Sequence, residues 1–224
     1  MKILAFDSSG GGCSAAVLSG GRLLAEESAP MLRGQAEHLV PMIARAMAAA
    51  GLSFGELDLI AVTLGPGAFT GVRIGIATAQ GLALATGLPA LGLSSFEAVA
   101  AALPQALIEG RSLLVAIESR REELYLRAFD HRRAPLGEGA LVPAERWREI
   151  APPGPLVLAG DGAGRLAAAL GRPDLVTAPG PQTVDAAALA RLAAERWRAG
   201  FRTERLEPCY LHAPDVTLPK GSMR

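Results

Sequence analysis

The first third of the chain predicts three short strands. Residues 2–9, 13–20 and 22–29 are brief apolar segments. A run of glycines follows the first segment and Gly20-Gly21 follows the second, and tight glycine turns of this kind join neighbouring antiparallel strands. The pattern therefore predicts a β-meander.

A helix, a strand and a second helix follow the meander. Residues 34–51 predict a helix that ends at Gly51, because glycine accepts the left-handed conformation common at helix ends. Residues 57–65 form a continuous apolar run, which is typical of a strand buried on both faces. Residues 70–87 predict a second helix, stopped by Gly87 and Pro89. The predicted order is βββαβα.

The second half repeats this order more loosely. Its predicted elements are strands at 112–119, 123–130 and 135–142, a weak helix at 144–150, a strand at 155–162 and a helix at 183–200. Two such units placed face to face create a cleft, and the first strand of each unit ends in an acidic residue, Asp7 or Glu118. The tail from residue 203 onward is interrupted by prolines and is expected to be extended.

The composition predicts a soluble globular protein. Half of the 224 residues are hydrophobic and 20% are charged, which is enough apolar material for a sizeable core. The formal net charge is zero, so long-range attraction to nucleic acid is weak and a stand-alone RNA-binding role is disfavoured.

The cellular location of the protein is predicted from the absence of membrane-spanning and signal-peptide patterns in the sequence. No apolar run approaches the roughly 20 residues of a membrane span, and the N-terminus has no signal-peptide pattern. Cys13 and Cys209 have no spacing typical of zinc or a redox pair. We therefore expect a cytoplasmic protein with reduced thiols.

The stretch GPGAFTGVRIG at residues 65–75 joins the buried strand to the second helix. Such a loop can bind an anion at the helix N-terminus, but neither GxGxxG nor GK[ST] is present. Small residues instead recur at every fourth position of the helix, which forms a shallow groove where another helix can approach closely: Gly71, Gly75, Ala79, Ala83 and Gly87. Close packing is therefore favoured over phosphate binding.

The helix at 34–51 is apolar on nearly all sides. Between Gln35 and Ala50 only Gln35, Glu37, His38 and Arg45 are polar. A helix of this kind is either buried within its own chain or partly covered by a partner, and the chain is short for enclosing two such helices along with a sheet.

The turn FDSSGGG raises a nucleotide hypothesis. A carboxylate at a strand end followed by free backbone N–H groups can hold a metal-bound phosphate, although Asp-Ser-Ser-Gly is also ordinary hairpin chemistry. The candidate nucleotide-facing residues on this hypothesis are Asp7, Ser8, Ser9, Gly65 and Gly67.

Other reactive groups are sparse. His38, His131 and His212 lie far apart, without a second ligand at helical metal-binding spacing, and His38 is expected on a helix surface. No metal site is therefore predicted. Arg120 and Arg121 suit either contact with a polyanion or an exposed charge cluster on a hairpin.

Several motifs are distributed along the chain: ILAFDSS, HLVPMI, GPGAFTGVRIG with its following ATAQGLA, LSSFEAVA, LVAIESRREELYL and LEPCYLHAP. Together they resemble the TsaB family, also called YeaZ, of tRNA threonylcarbamoyladenosine synthesis. The match covers most of the chain and is strongest over residues 1–100. Glu118, where aspartate is more usual, and Cys209 in the closing motif are departures from the family pattern.

The resemblance implies an α/β fold of the ASKHA type, the actin and sugar-kinase class, built from two ribonuclease-H-like halves. We expect these domains at residues 1–103, with the partner-binding helices, and 104–224, with the extended tail. TsaD, the catalytic paralogue, carries a His-x-x-x-His metal pair after the equivalent helix. Ser94 and Ser95 lie in that region here, and no histidine does, so the chemistry is expected to be missing.

The resemblance further implies a non-catalytic activator of TsaD, in threonylcarbamoyl transfer to N6 of adenosine 37 of ANN-decoding tRNAs. A TsaE-type ATPase would act on the complex, tRNA would bind through it, and ATP, ADP and metal would belong to it rather than to the isolated chain. The N-terminal helices are expected to form the TsaD interface with His38, Leu39, Met42, Ile43, Gly71, Arg73, Gly75, Ile76 and Ala79. The alternatives are a self-sufficient ASKHA phosphotransferase or peptidase using Asp7 and Glu118, and a structural homodimer.

Overall fold

Ten strands form two five-stranded sheets in the computed structural model, which describes residues 1–31, 33–119, 121–178 and 184–211. The first half contains β1 Lys2–Asp7, β2 Gly12–Ser19, β3 Arg22–Pro30, α1 Gln35–Ala50, β4 Leu59–Thr63, α2 Phe69–Thr86, β5 Ala90–Leu93 and α3 Ser95–Ala102. The second half contains α4 Gln105–Ile108, β6 Ser112–Glu118, β7 Leu124–Phe129, β8 Ala140–Val142, α5 Trp147–Ile150, β9 Leu156–Ala159, α6 Ala163–Leu170, β10 Leu175–Thr177 and α7 Ala186–Arg198.

The two sheets repeat one topology. The first has the order β3-β2-β1-β4-β5 and the second the order β8-β7-β6-β9-β10. In each sheet the first three strands are antiparallel neighbours and the last two run parallel to the central strand. The predicted duplication is confirmed, and each unit extends to βββαβαβα.

The predicted meander, the two predicted helices α1 and α2, and the buried strand β4 are confirmed. Gly51 and Gly87 follow α1 and α2 in the left-handed conformation, with φ of 66° and 72°. Ser94 caps α3 by accepting a hydrogen bond from the N–H of Phe96. Among the described residues no helix is long and apolar enough to cross a membrane.

The second half departs from the prediction at three points. The strand predicted over 135–142 is limited to β8, because Pro135, Gly137 and Gly139 disfavour a regular ladder. The helix α6 and the short strand β10 were not predicted. In the first half, the short strand β5 was likewise not predicted. Since α6 is the counterpart of α2, the last helix, α7, is the counterpart of α3. Thr183, the first residue of the helix predicted over 183–200, lies outside the described residues.

The last helix of each half packs on the sheet of the other half. Leu189, Ala190 and Ala193 of α7 share a core cluster with Ile3 and Leu59 of the first sheet. Phe96 and Ala100 of α3 pack against Leu113 and Val115 of β6, and against Phe129 of β7, in the second sheet. The predicted domain boundary between residues 103 and 104 separates the two sheets. The helices α3 and α7, however, each pack on the sheet of the other half.

Helices α1 and α2 cover the other face of the first sheet. Leu39 and Ile43 of α1 and Ile76 of α2 lie in one buried cluster with Phe6 and Val62 of the sheet. This arrangement leaves the outer sides of α1 and α2 as the surface of the first half.

Candidate functional site

Asp7 lies at the end of β1. The neighbouring strand β4 and the next strand, β5, run parallel to β1, so their ends lie at the same edge of the sheet. The Asp7 side chain is completely buried. The carboxylate accepts hydrogen bonds from the Thr63 hydroxyl and from Ser9, whose hydroxyl is 2.6 Å and whose backbone N–H is 3.2 Å away. The hydroxyl oxygens of Ser9 and Ser95 are 3.3 Å apart, so the polar network continues to the start of α3.

Burial is the largest influence on the Asp7 carboxyl group. It raises the pKa of Asp7 above its ordinary value, while the hydrogen bonds from Ser9 and Thr63 act in the opposite direction. The neutral form of this side chain is therefore favoured more than in water.

The loop between β4 and α2 closes over this network. The Ala68 N–H donates to the Ser9 carbonyl at 2.7 Å, and the Ser8 hydroxyl donates to the Gly71 carbonyl at 2.8 Å. A Cβ on Gly67 would clash with the Ser9 carbonyl oxygen, and one on Gly71 would clash with that of Ser8. The glycines of GPGAFTGVRIG thus allow the turn after β1 to approach the loop and α2 closely.

Four of the five candidate nucleotide-facing residues are buried by this contact. Asp7, Ser8, Ser9 and Gly65 have no exposed surface of significant size, and Gly67 is partly exposed. The Gly65 carbonyl accepts a hydrogen bond from the Ser95 N–H at 2.8 Å. The geometry therefore gives no support to direct nucleotide contact by these buried groups.

The small-residue row of α2 contacts its own chain at its beginning. A Cβ on Gly75 would lie 3.1 Å from the Ser8 hydroxyl oxygen and 3.3 Å from a methyl carbon of Val62. Ala79 lies in the core, and nothing lies within 4 Å of a Cβ built on Gly87. The expectation that the row admits a second helix is wrong for Gly71 and Gly75, whose neighbours are the turn after β1 and the sheet.

The candidate interface residues fall into two groups. Seven are buried within the first half: Leu39, Met42, Ile43, Gly71, Gly75, Ile76 and Ala79. His38, on the surface of α1 as predicted, and Arg73, on α2, are exposed. In this conformation only the latter two can touch a partner with their side chains.

Apolar residues are also exposed on these two helices. Val40 of α1 is 54% exposed, and Phe69 and Leu84 of α2 are 51% and 88% exposed. These five residues, His38, Val40, Phe69, Arg73 and Leu84, are called the α1–α2 face below. Exposed large apolar side chains on neighbouring helices are typical of a protein interaction surface.

Arg73 contacts two aromatic side chains, Phe69 and Tyr210. Its guanidinium carbon lies 3.6 Å from the ring centre of Phe69, and its Nε donates a hydrogen bond of 2.9 Å to the Tyr210 hydroxyl. The two rings are stacked with centres 5.9 Å apart. Tyr210 was not predicted as a functional residue, although its place in the LEPCYLHAP motif was a signal.

Hydrogen bonds of its backbone hold the segment before Tyr210 against the end of β4 and against α2. The Cys209 N–H donates to the Leu64 carbonyl at 2.7 Å, and the Gln80 side chain donates to the Leu206 carbonyl at 3.1 Å. Residues 203–211 contain no helix or strand, as expected for an extended segment, and residues 212–224, including His212, lie outside the described residues.

Glu118 ends β6 as Asp7 ends β1, but in different surroundings. Arg165 donates to its carboxylate at 2.6 Å, and the Glu118 N–H donates to Asp161 at 2.9 Å. Burial raises the pKa of Glu118, and Arg165 opposes that change. Arg120, one of the predicted polyanion contacts, lies outside the described residues, and Arg121 is exposed.

The described residues contain no group of three or more His, Cys, Asp or Glu side chains arranged to hold a metal ion. His131 is exposed on the turn after β7, remote in sequence from the Asp7 network. The arrangement around Asp7 thus consists of one buried carboxyl group and hydroxyls, which suits a structural polar network.

The chain is similar to known proteins of tRNA threonylcarbamoyladenosine biosynthesis. The family described as "TsaD: tRNA N6-adenosine threonylcarbamoyltransferase" matches residues 30–159. Over 151 residues the chain is 34% identical to the tRNA threonylcarbamoyladenosine biosynthesis protein TsaB of Haemophilus influenzae, covering 67% of this chain and 61% of that protein. The protein of the same name from Escherichia coli is 37% identical over 126 residues, covering 56% and 53%.

A solved structure extends the likeness to nearly the whole chain. YeaZ from Pseudomonas aeruginosa is 32% identical, with a TM-score of 0.80 and coverage of 94% of this chain and 99% of that chain. The matched part spans between half and two thirds of the length of the two curated relatives. The two repeated sheets and this similarity confirm the predicted α/β ASKHA-like fold.

Proposed function

Because the chain belongs to the TsaB (YeaZ) family, we propose that it is a non-catalytic partner and activator of TsaD. The reaction is the transfer of a threonylcarbamoyl group to N6 of adenosine 37 in ANN-decoding tRNAs. In this proposal a TsaE-type ATPase acts on the assembled complex, and tRNA binds through the complex. ATP, ADP and metal belong to that complex rather than to the isolated chain.

The observation that carries the proposal is the α1–α2 face. Leu84 is 88% exposed on a helix whose inner side is packed on the sheet, and Val40 of α1 and Phe69 at the start of α2 add exposed apolar surface. Leaving such side chains in water is unfavourable by roughly 25 cal/mol per Å² of apolar area, so covering them with a partner contributes to affinity. Arg73, fixed over Phe69, adds the kind of cation that is enriched at interface centres.

The Asp7 network supports a role without catalysis in this chain. A general base must reach the proton that it removes, and Asp7 is buried beneath the β4–α2 loop. Glu118, the other acidic strand end, is paired with Arg165. The phosphotransferase or peptidase alternative would need at least one of these groups to be freed.

Capture by immobilised TsaD tests the proposal. We expect Leu84→Glu to weaken capture, because a carboxylate would be placed in an apolar contact. Leu136→Glu is the matched control, since Leu136 is 58% exposed in the second half, away from the α1–α2 face. Both variants should melt like the wild type.

Four results would contradict the proposal. Wild-type protein that does not bind TsaD would remove its basis, and equal capture of both leucine variants would remove the α1–α2 face as the interface. Saturable ATP binding with phosphoryl transfer by the isolated chain would favour the enzyme alternative. A dimer in solution that Leu84→Glu dissociates without any effect on TsaD capture would favour the structural homodimer.

A further inference from the structure

A cleft of about 600 Å³ lies between the two halves, apart from the Asp7 network. Its walls are α3, α7 and the connection between β7 and β8. The volume is within the range of about 300–1,000 Å³ that small-molecule sites occupy. Ala101, Pro135 and Leu192 supply accessible apolar surface to its lining.

Positive charge is concentrated in this cleft. Four arginines, Arg132, Arg133, Arg191 and Arg196, line it together with two glutamates, Glu97 and Glu195. The whole chain has a formal net charge of zero, so the excess of two positive charges is a local feature. A concave site lined mainly by one sign of charge concentrates ligands of the opposite sign.

Two of the four arginines are occupied by the protein itself. Arg133 donates to the carbonyl oxygens of Ala100 at 2.9 Å and Leu103 at 2.7 Å. Arg196 donates to the Glu97 carboxylate at 2.6 Å. These bonds fix the walls of the cleft and leave their guanidinium groups little capacity for a ligand.

Arg132 and Arg191 are the groups left for a ligand. Both side chains are exposed, and within the described part of the chain neither guanidinium makes a hydrogen bond or a salt bridge. The guanidinium of Arg132 attracts the carboxyl group of Asp130, and that of Arg191 attracts the carboxyl group of Glu26 on β3, in both cases without direct contact. Arg132 belongs to the β7–β8 connection and Arg191 to α7, so they approach the cleft from different walls. Glu195 is the carboxylate in the cleft that has no salt-bridge partner among the described residues.

We propose that this cleft binds the phosphate groups of a small phosphorylated molecule. Guanidinium groups bind phosphate through paired, charge-assisted hydrogen bonds, which a lysine or a neutral donor does not reproduce. Arg132 and Arg191 contact the phosphates, and Ala101, Pro135 and Leu192 contact the organic part. This proposal does not depend on the partnership with TsaD.

Calorimetric titration of the full chain with pyrophosphate and with ADP tests the proposal. We expect saturable binding that Arg132→Ala and Arg191→Ala each weaken about tenfold, the effect of losing one charged hydrogen bond. Arg198→Ala is the matched control, because Arg198 is an exposed arginine of α7 outside the cleft, and it should leave binding unchanged. Glu195→Gln should strengthen binding, since it removes a repelling carboxylate.

The design separates the outcomes. Arg132 and Arg191 lie on different elements, so a folding defect in one variant leaves the other informative. Absence of binding to both probes, or binding that neither arginine variant changes, would overturn the proposal. Binding of tRNA but not of pyrophosphate or ADP, with the same two arginines required, would identify RNA phosphates as the ligand and would also overturn it.

Discussion

The backbone N–H of Ala68 donates a hydrogen bond of 2.7 Å to the carbonyl oxygen of Ser9. This bond joins the β4–α2 loop to the turn after β1, two segments that are nearly sixty residues apart in sequence. Since the same contact buries Asp7, the packing of the loop and the inaccessibility of the carboxyl group have a common cause.

Gly71→Ala should destabilise the protein. The added Cβ would clash with the Ser8 carbonyl oxygen, and such overpacking costs about 1–3 kcal/mol. In a chain of this size the melting temperature should fall by about 2–4 °C for each kcal/mol. Gly81→Ala is the control, because Gly81 is also in α2 and nothing lies within 4 Å of its built Cβ, so alanine should raise stability by up to about 1 kcal/mol. Equal melting of the two variants would refute this account of the loop.

The Asp7 carboxyl group should make stability depend on pH. Burial raises its pKa in the folded state, so the folded protein holds this proton more tightly than the unfolded chain. The stabilising contribution is complete below the unfolded pKa of about 3.9 and is lost as pH rises through the folded pKa. Asp7→Asn cannot ionise, so its stability relative to wild type should improve as pH rises from about 4. A stability difference that is constant with pH, measured by urea unfolding, would contradict the shift.

Arg73→Ala should weaken capture by TsaD without lowering the melting temperature much. The side chain is exposed and fixed by Phe69 and Tyr210, and arginine is enriched among interface residues whose loss costs more than about 1 kcal/mol, or about fivefold in affinity. Arg146→Ala serves as control, because Arg146 is an exposed arginine in the second half. If both variants bound TsaD equally well, Arg73 would have no part in the interface.

Arg133→Ala should lower stability by about 1–3 kcal/mol. The guanidinium donates to two carbonyl oxygens at the end of α3, and its loss removes the donor to Leu103 and one of the two donors to Ala100. Alanine keeps the positive φ of 63° at this position, so backbone strain is similar in both proteins. Arg132→Ala, one residue away and without such bonds, should melt like the wild type. Equal loss in both variants would point to a general effect of charge.

Much of the fold could be predicted from hydrophobic patterns. The six elements from β1 to α2 have long runs or clear glycine ends, and such signals are local. The helix α6 was missed although Ala163, Leu166 and Leu170 follow a helical spacing and Gly171 ends it, because eight residues give a weak periodic signal. The strands β5 and β10 are shorter still.

The site was less predictable because its geometry is not local. Asp7, Thr63 and Ser95 meet only when three strands are placed side by side, and the sequence gives no sign that Gly67 and Gly71 contact the Ser8–Ser9 backbone. Likewise, Arg73 and Tyr210 are separated by 137 residues. Patterns indicate which residues are unusual, whereas burial and partners depend on tertiary packing.

The packing of α7 on the first sheet affects when the first half can complete its folding during synthesis on the ribosome. One face of that sheet, with Ile3 and Leu59, is covered by a helix that is translated only after residue 185. At a synthesis rate of about 5–20 residues per second, roughly 4–20 seconds pass between the end of α3 and the end of α7. During this interval the nascent first half exposes an apolar sheet face, so it is a natural substrate for chaperones that bind emerging chains.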